Sequence, residues 1–155
     1  MQEKSQEKVK DIMSKQIVSV MPSTTAQDAA KLMQQNNIGS VPVVSAGEIK
    51  GILTDRDIIL RCVAFGKDPT QVRAEDIMTS HVACLTPEQP VKDAVSMMAT
   101  EQVRRLPVVE NGVIQGIVSF SDVARRHTGP QVAEAIGQIS QTQVQEVWND
   151  QNSIR

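Results

Sequence analysis

Two motifs of one hydroxyl and one carboxylate, Thr54-x-x-Asp57 and Ser119-x-x-Asp122, are the best-equipped residues of the chain for holding a polar ligand. Each stands where a strand-compatible stretch, 49–54 or 114–119, gives way to a polar, helix-compatible one. A carboxylate placed there accepts bonds from both hydroxyls of a ribose, while the side-chain hydroxyl and the first backbone N–H groups supply donors. Ser121 adds a hydroxyl beside Asp122. The same spacing also describes a helix N-cap with an acidic residue in the first turn, a device that stabilises a helix by about 1 kcal/mol. Capping and ribose binding are compatible, so one does not exclude the other.

Phosphate requires cationic donors, and Arg104 and Arg105, just ahead of Leu106-Pro107, are candidates for charge-assisted contacts. Their position near Glu101 leaves open the alternative of surface arginines. Lys15, Arg56, Arg125 and Arg126 could supplement phosphate binding, although single basic residues on helix ends are more often solvated. No metal site is expected, since His81 and His127 stand alone. Cys62 and Cys84 form no CxxC pair and fall at non-equivalent positions, which gives redox or metal sensing little support and favours reduced thiols. No catalytic residues are expected: HExxH, GxxxxGK[ST] and GxSxG are all missing from the sequence.

Composition narrows the partners. The 155 residues are 40% hydrophobic, enough for one compact domain or two small units sharing a core. Aromatic residues number only three, Phe65, Phe120 and Trp148, so Val, Ile, Leu, Met and Ala must fill the interior. A net charge of -2 and scarce aromatics argue against nucleic acid as a partner. No apolar run approaches the roughly 18 residues of a membrane span, and the polar start carries no signal-peptide core. No membrane association and a cytoplasmic location are expected.

The elements that position these motifs come from an internal repeat. Asp11-Ile12-Met13 returns as Asp76-Ile77-Met78, an offset of 65 residues that then holds without a gap. Pro22, Asp28-Ala29, Met33, Pro42-Val43-Val44, Gly51-Ile52 and Asp57 recur as Pro87, Asp93-Ala94, Met98, Pro107-Val108-Val109, Gly116-Ile117 and Asp122. Each copy reads as β-α-β-β-α, an α+β unit. Strands are expected at 17–20 and 82–85, ended by Pro22 and Pro87. A helix follows, capped by Thr24 or Thr25 in the first copy and opened by Pro90 in the second. Two strands then meet through Gly47 or Asn111-Gly112, and a closing helix runs over about 55–65 or 121–127. A three-stranded sheet covered on one side closes no sizeable core alone, so the two units are expected to pack through their sheets. The organisation is a polar start over 1–8, repeats over 9–65 and 74–128, a linker over 66–73 and a tail over 129–155. In the tail, Val132, Ile136, Ile139, Val144, Val147 and Trp148 have partial helical spacing, compatible with a docked helix or a frayed end.

The Asp-Ile-Met turn, the hydrophobic-Pro-Val-Val strand and Gly51-Ile-Leu-Thr-Asp-Arg-Asp57 resemble the CBS domain family, and Gly116 to Asp122 is the second copy. The resemblance covers roughly residues 9 to 127. It implies a pseudo-twofold pair of repeats, a Bateman module, with adenosine ligands in clefts between them. The expected ligand is an adenine nucleotide, AMP, ADP or ATP, or S-adenosylmethionine, held as a regulatory ligand; no cofactor is obligatory. Carried over residue by residue, one cleft joins Thr54 and Asp57 to Ala83, Val103, Arg104 and Arg105. The other joins Ser119, Ser121 and Asp122 to Val18, Ile38, Gly39 and Ser40. A homodimer is expected, and the chain resembles stand-alone members that act on a separate regulated protein. The alternative is a ligand-independent dimerisation or interaction scaffold.

Overall fold

The computed structural model describes residues 7–126, so the expectations for the tail and for His127 lie outside the described residues. In chain order the elements are α1 (Val9–Ile12), α2 (Ala26–Asn36), β1 (Ser40–Ser45), β2 (Glu48–Thr54), α3 (Asp55–Ile58, continued as a π-helix over Ile59–Val63), α4 (Ala74–Ile77), α5 (Val91–Glu101), β3 (Arg105–Glu110), β4 (Val113–Ser119) and α6 (Phe120–Arg126). The fold class is the expected α+β, with the same helix-strand-strand-helix order in both repeats.

The chain divides into two compact units that do not coincide with the sequence repeats. One comprises Gln16–Val82 with Val109–Ile114; the other comprises 7–15, Ala83–Val108 and 115–126. The two Asp-Ile-Met turns have therefore changed places. Val9 and Ile12 of α1 are buried with Leu85, Val91, Ala94, Met98, Leu106, Val118 and Val123 of the second repeat. Ala74 and Ile77 of α4 are buried with Ala26, Ala29, Met33, Val41, Val43, Leu53 and Cys62 of the first.

The same backbone bonds seat both turns. Val9 N–H donates to Gln89 O at 2.8 Å and Val91 N–H to Glu7 O at 3.0 Å; the counterparts are Ala74 to Thr24 O at 2.7 Å and Ala26 to Val72 O at 2.8 Å. Asp11 and Asp76 explain their place in the motif, since each carboxylate accepts the N–H three residues earlier, from Lys8 or Arg73, at 2.9 Å. The chain then runs on beside a strand. Ser14 and Ile117 exchange two backbone bonds at 2.8 and 2.9 Å, and Ile52 and Thr79 exchange two at 2.9 Å. This close approach needs glycine. A Cβ on Gly51 would lie 2.7 Å from Thr79 O, and one on Gly116 would lie 2.8 Å from Ser14 O.

The strands expected at 17–20 and 82–85 are reduced to single parallel bridges, Val20 to Val43 and Leu85 to Val108. Val20 N–H donates to Pro42 O at 3.0 Å and Val44 N–H to Val20 O at 2.8 Å. In a parallel ladder the preceding rung would use the N–H of residue 42 and the following one the N–H of residue 22. Both are prolines with no donor, so pairing stops at one rung. Pro87 and Pro107 occupy the same places in the second repeat.

Thr25 caps α2 by accepting Asp28 N–H at 3.1 Å, while Thr24 accepts Met21 N–H at 3.0 Å. The β1–β2 hairpin turns at Ala46-Gly47 and its counterpart at Asn111-Gly112, all four with positive φ. Asn and Gly tolerate that region; Ala46 does so at a cost. Asp57 lies three residues into the closing helix of the first repeat. Beyond it, Ala64 N–H reaches back five residues to Ile59 O at 2.8 Å, so the expected regular helix is widened into a π turn. Ile58 and Cys62 point inward, and Ile59, Leu60, Val63 and Phe65 are exposed.

Candidate ligand-binding site

The two hydroxyl-x-x-carboxylate motifs sit at the strand-to-helix junctions, where β2 passes into α3 and β4 into α6. Thr54 Oγ1 accepts Asp57 N–H at 3.0 Å and Asp57 Oδ2 accepts Thr54 N–H at 3.0 Å, a reciprocal capping box. In the second repeat Ser119 Oγ accepts Asp122 N–H at 3.2 Å, and Asp122 Oδ2 accepts Ser119 N–H at 3.3 Å and the Ser119 hydroxyl at 2.7 Å. Ser121 Oγ lies 3.0 Å from Ser119 Oγ. The helix-cap role is thus realised at both positions.

Each cap engages one carboxylate oxygen, Oδ2. The second oxygen, Oδ1, faces only a distant cation: Arg61 Nε at 4.0 Å from Asp57 and Arg125 Nη2 at 3.9 Å from Asp122. The two carboxylates are also shielded to different extents, with side chains 13% and 29% exposed. Both remain able to accept a hydroxyl pair through Oδ1.

Around each junction the structure gathers the segment ahead of the strand proline of the same repeat. Ser40 is the cross-strand partner of Thr54, Asp55 N–H donates to Gly39 O at 2.9 Å, and Val18 and Ile38 pack against the core that Leu53 and Ile58 help to form. In the other unit Phe120 N–H donates to Arg104 O at 2.7 Å, and Ala83 and Val103 pack against the second core. Arg104 and Arg105 are exposed. Asp55, expected only as the start of a helix, is a further polar group here. Its carboxylate covers Gly39, and the signal that would have found it is its alignment with Phe120 at the repeat offset.

Among the described residues no three His, Cys, Asp or Glu side chains lie together so as to hold a metal ion. Burial pushes the half-buried Cys84 thiol above its ordinary value, away from thiolate reactivity. Glu88 is held down to about 2 by hydrogen bonds from Lys10 at 2.8 Å and Lys8 at 2.6 Å, an exposed ion-pair triad that fastens the α1 segment to the second repeat.

The sequence profile of the CBS domain matches this chain twice, over residues 9–63 and 74–129. The protein belongs to the CBS domain family. As a CBS pair it is 44% identical over 116 residues to the CBS domain-containing protein YhcV of Bacillus subtilis, covering 75% of this chain and 82% of that one. Among solved structures, Hypoxic Response Protein I with two coordinated zinc ions superposes with a TM-score of 0.72 at 29% identity, covering 79% of this chain and all of that one. The CBS domain pair of protein MJ0100, in complex with 5′-methylthioadenosine and S-adenosyl-L-methionine, superposes with a TM-score of 0.66 at 30% identity, covering 77% and 98% of the respective chains. No helix among the described residues is long and apolar enough to cross a membrane.

Proposed function

We propose that this CBS pair is a non-catalytic regulatory module that binds an adenosine ligand and presents its occupied and empty states to a partner protein. The observation that carries the reading is the duplicated carboxylate, Asp57 and Asp122, each held by its cap through Oδ2 with Oδ1 left for a ribose. The adenosine ligands of the MJ0100 pair support the ligand class. In the grouping carried over from the family resemblance, Thr54 and Asp57 act with Ala83, Val103, Arg104 and Arg105, and Ser119, Ser121 and Asp122 act with Val18, Ile38, Gly39 and Ser40. The phosphate of AMP then belongs with Asp57, because only that set contains arginines.

Calorimetric titration with AMP, ADP, ATP and S-adenosylmethionine tests the reading. Arg104→Ala should weaken AMP at the tighter site by one to two decades, the equivalent of about 1.5–3 kcal/mol for a charge-assisted contact, and leave adenosine nearly unchanged. No heat and no thermal shift with any of the four ligands would replace the sensor reading by the scaffold. A tighter site abolished by Asp122→Ala but not by Asp57→Ala would reverse the assignment of the arginines.

The scaffold has its own support in the exposed apolar row of Ile59, Leu60, Val63 and Phe65. Such a row suits pairing of two copies, so a homodimer is part of the proposal. Light scattering at tens of micromolar protein decides it, a monomer of 17.0 kDa being the contrary result.

A further inference from the structure

Arg61 stands between the Asp57 carboxylate and the second-repeat turn that fills the first core, and it reaches both at long range. Its Nη1 donates to Ile77 O at 3.3 Å and to Met78 O at 3.5 Å, while its Nε lies 4.0 Å from Asp57 Oδ1. All four residues belong to the same compact unit. The two acceptor sets attract the guanidinium for separate reasons. Ile77 ends α4 and Met78 caps it, so their carbonyls receive no bond from within the helix. Asp57 is an anion one helical turn before Arg61. A well-formed N–H···O bond is about 2.9 Å long, and all three separations exceed that, so the shared cation closes fully on neither set. Its side chain is 54% exposed, which leaves room to shift between them. The carbonyls matter to the strand beneath. Met78 Sδ lies 2.8 Å from where a Cβ on Gly51 would stand, and Thr79 and Ile52 exchange two backbone bonds at 2.9 Å.

We propose that Arg61 is a positioning residue that reports the occupancy of Asp57 to the Asp-Ile-Met turn at 76–78: a ribose on Oδ1 drives the guanidinium onto the Ile77 and Met78 carbonyls, and without it Arg61 divides between those carbonyls and Asp57. This rests on the proposed function, in which Asp57 Oδ1 accepts the ribose hydroxyls. Two hydroxyls donating to Oδ1 use both of its lone pairs, and Arg61 Nε then has no acceptor there. The ligand therefore makes contacts that only one of the two arrangements permits, which is what a ligand needs to shift an equilibrium. The effect is reciprocal. Arg61 must leave Asp57 before a ribose enters, so the same factor appears in the affinity and in the hold on the turn. An evenly divided guanidinium gives a factor of about two, and an exposed ion pair of ordinary strength favouring Asp57 raises it to about five. Because α4 is a second-repeat element buried in the core of the first, occupancy of a carboxylate in one repeat is carried to the chain of the other.

Amide exchange followed by NMR on the full chain reads the turn through the Thr79 and Ile52 N–H groups. Each is compared with Val44 N–H, which donates to Val20 O at 2.8 Å in the same unit, so that a general gain in stability cancels. Saturating adenosine, an uncharged probe, should raise this relative protection about two- to fivefold. Asp57→Asn should raise it as much with no ligand present, because the amide nitrogen takes the place of Oδ1 and offers Arg61 no acceptor. Arg61→Gln should abolish the effect of adenosine on the turn, while calorimetry shows adenosine bound about two- to fivefold more tightly. Removing a residue that only braced the fold would weaken binding instead. Relative protection unmoved by adenosine or by Asp57→Asn, with adenosine bound, overturns the role of Arg61 and leaves the sensor reading standing. An adenosine effect that survives Arg61→Gln, or weaker binding in that variant, does the same. Failure of the unsubstituted chain to bind adenosine overturns both. Should Arg61→Gln fail to fold, the response to Asp57→Asn decides the question without it.

Discussion

Ile12→Ala should loosen the second repeat although Ile12 belongs to the first. Its side chain is 6% exposed within the cluster of Leu85, Leu106, Val118 and Val123. Truncating a buried isoleucine to alanine in a packed core costs about 2–4 kcal/mol, combining lost transfer energy with the cavity left behind. That is a large share of the roughly 5–15 kcal/mol by which a domain of this size is stable. At about 1.4 kcal/mol per decade, amide-exchange protection should fall by roughly 30- to 700-fold where the cavity opens. Hydrogen exchange followed by mass spectrometry places the loss. For Ile12→Ala it should concentrate in β3, β4 and α5, with β1 and β2 less affected. Ile77→Ala, 2% exposed among Val41, Val43 and Leu53, should give the mirror pattern. Loss centred on β1 and β2 for Ile12→Ala, or spread evenly over the chain, would refute the exchange of the two turns between the cores.

Replacing Ala46, which holds a φ of 52°, with the asparagine that repeat two uses at Asn111 should raise stability by about 0.5–1 kcal/mol, read as a higher urea midpoint at unchanged slope. Gly51→Ala should destabilise by about 1–3 kcal/mol, since the new Cβ would press on Thr79 O at 2.7 Å and on Met78 Sδ at 2.8 Å; a thermal midpoint equal to that of the unsubstituted chain would contradict the close approach. The folded-state pKa of Glu88, about 2, is below its ordinary 4.5, so its contribution to stability is complete above about pH 4.5 and is lost as pH falls toward 2. Glu88→Gln should flatten that part of the acid-denaturation curve, and 0.5 M salt should shrink the difference because the triad with Lys8 and Lys10 is exposed.

The elements that depend on local chemistry were legible in the chain itself. The 65-residue offset establishes two copies of one unit, Thr24-Thr25 and Pro90 mark to within a residue where the long helices begin, Asn111-Gly112 marks a turn, and the hydroxyl-x-x-carboxylate spacing marks the caps of α3 and α6. These follow from backbone preferences over a few residues, which a sequence carries directly. Three features required the tertiary structure. The strands expected at 17–20 and 82–85 have the right composition, but Pro22 with Pro42, and Pro87 with Pro107, remove donors on both sides of one rung, an effect visible only once the partner residues are known. The Asp-Ile-Met turns present the same apolar pattern in both copies, so nothing local distinguishes the core of one repeat from that of the other; which core each turn fills appears only in the long-range packing. Asp55 reads as an ordinary first-turn acid until its carboxylate is found over Gly39, sixteen residues earlier, because a repeat alignment compares positions one at a time whereas charge at a site depends on which positions the fold brings face to face.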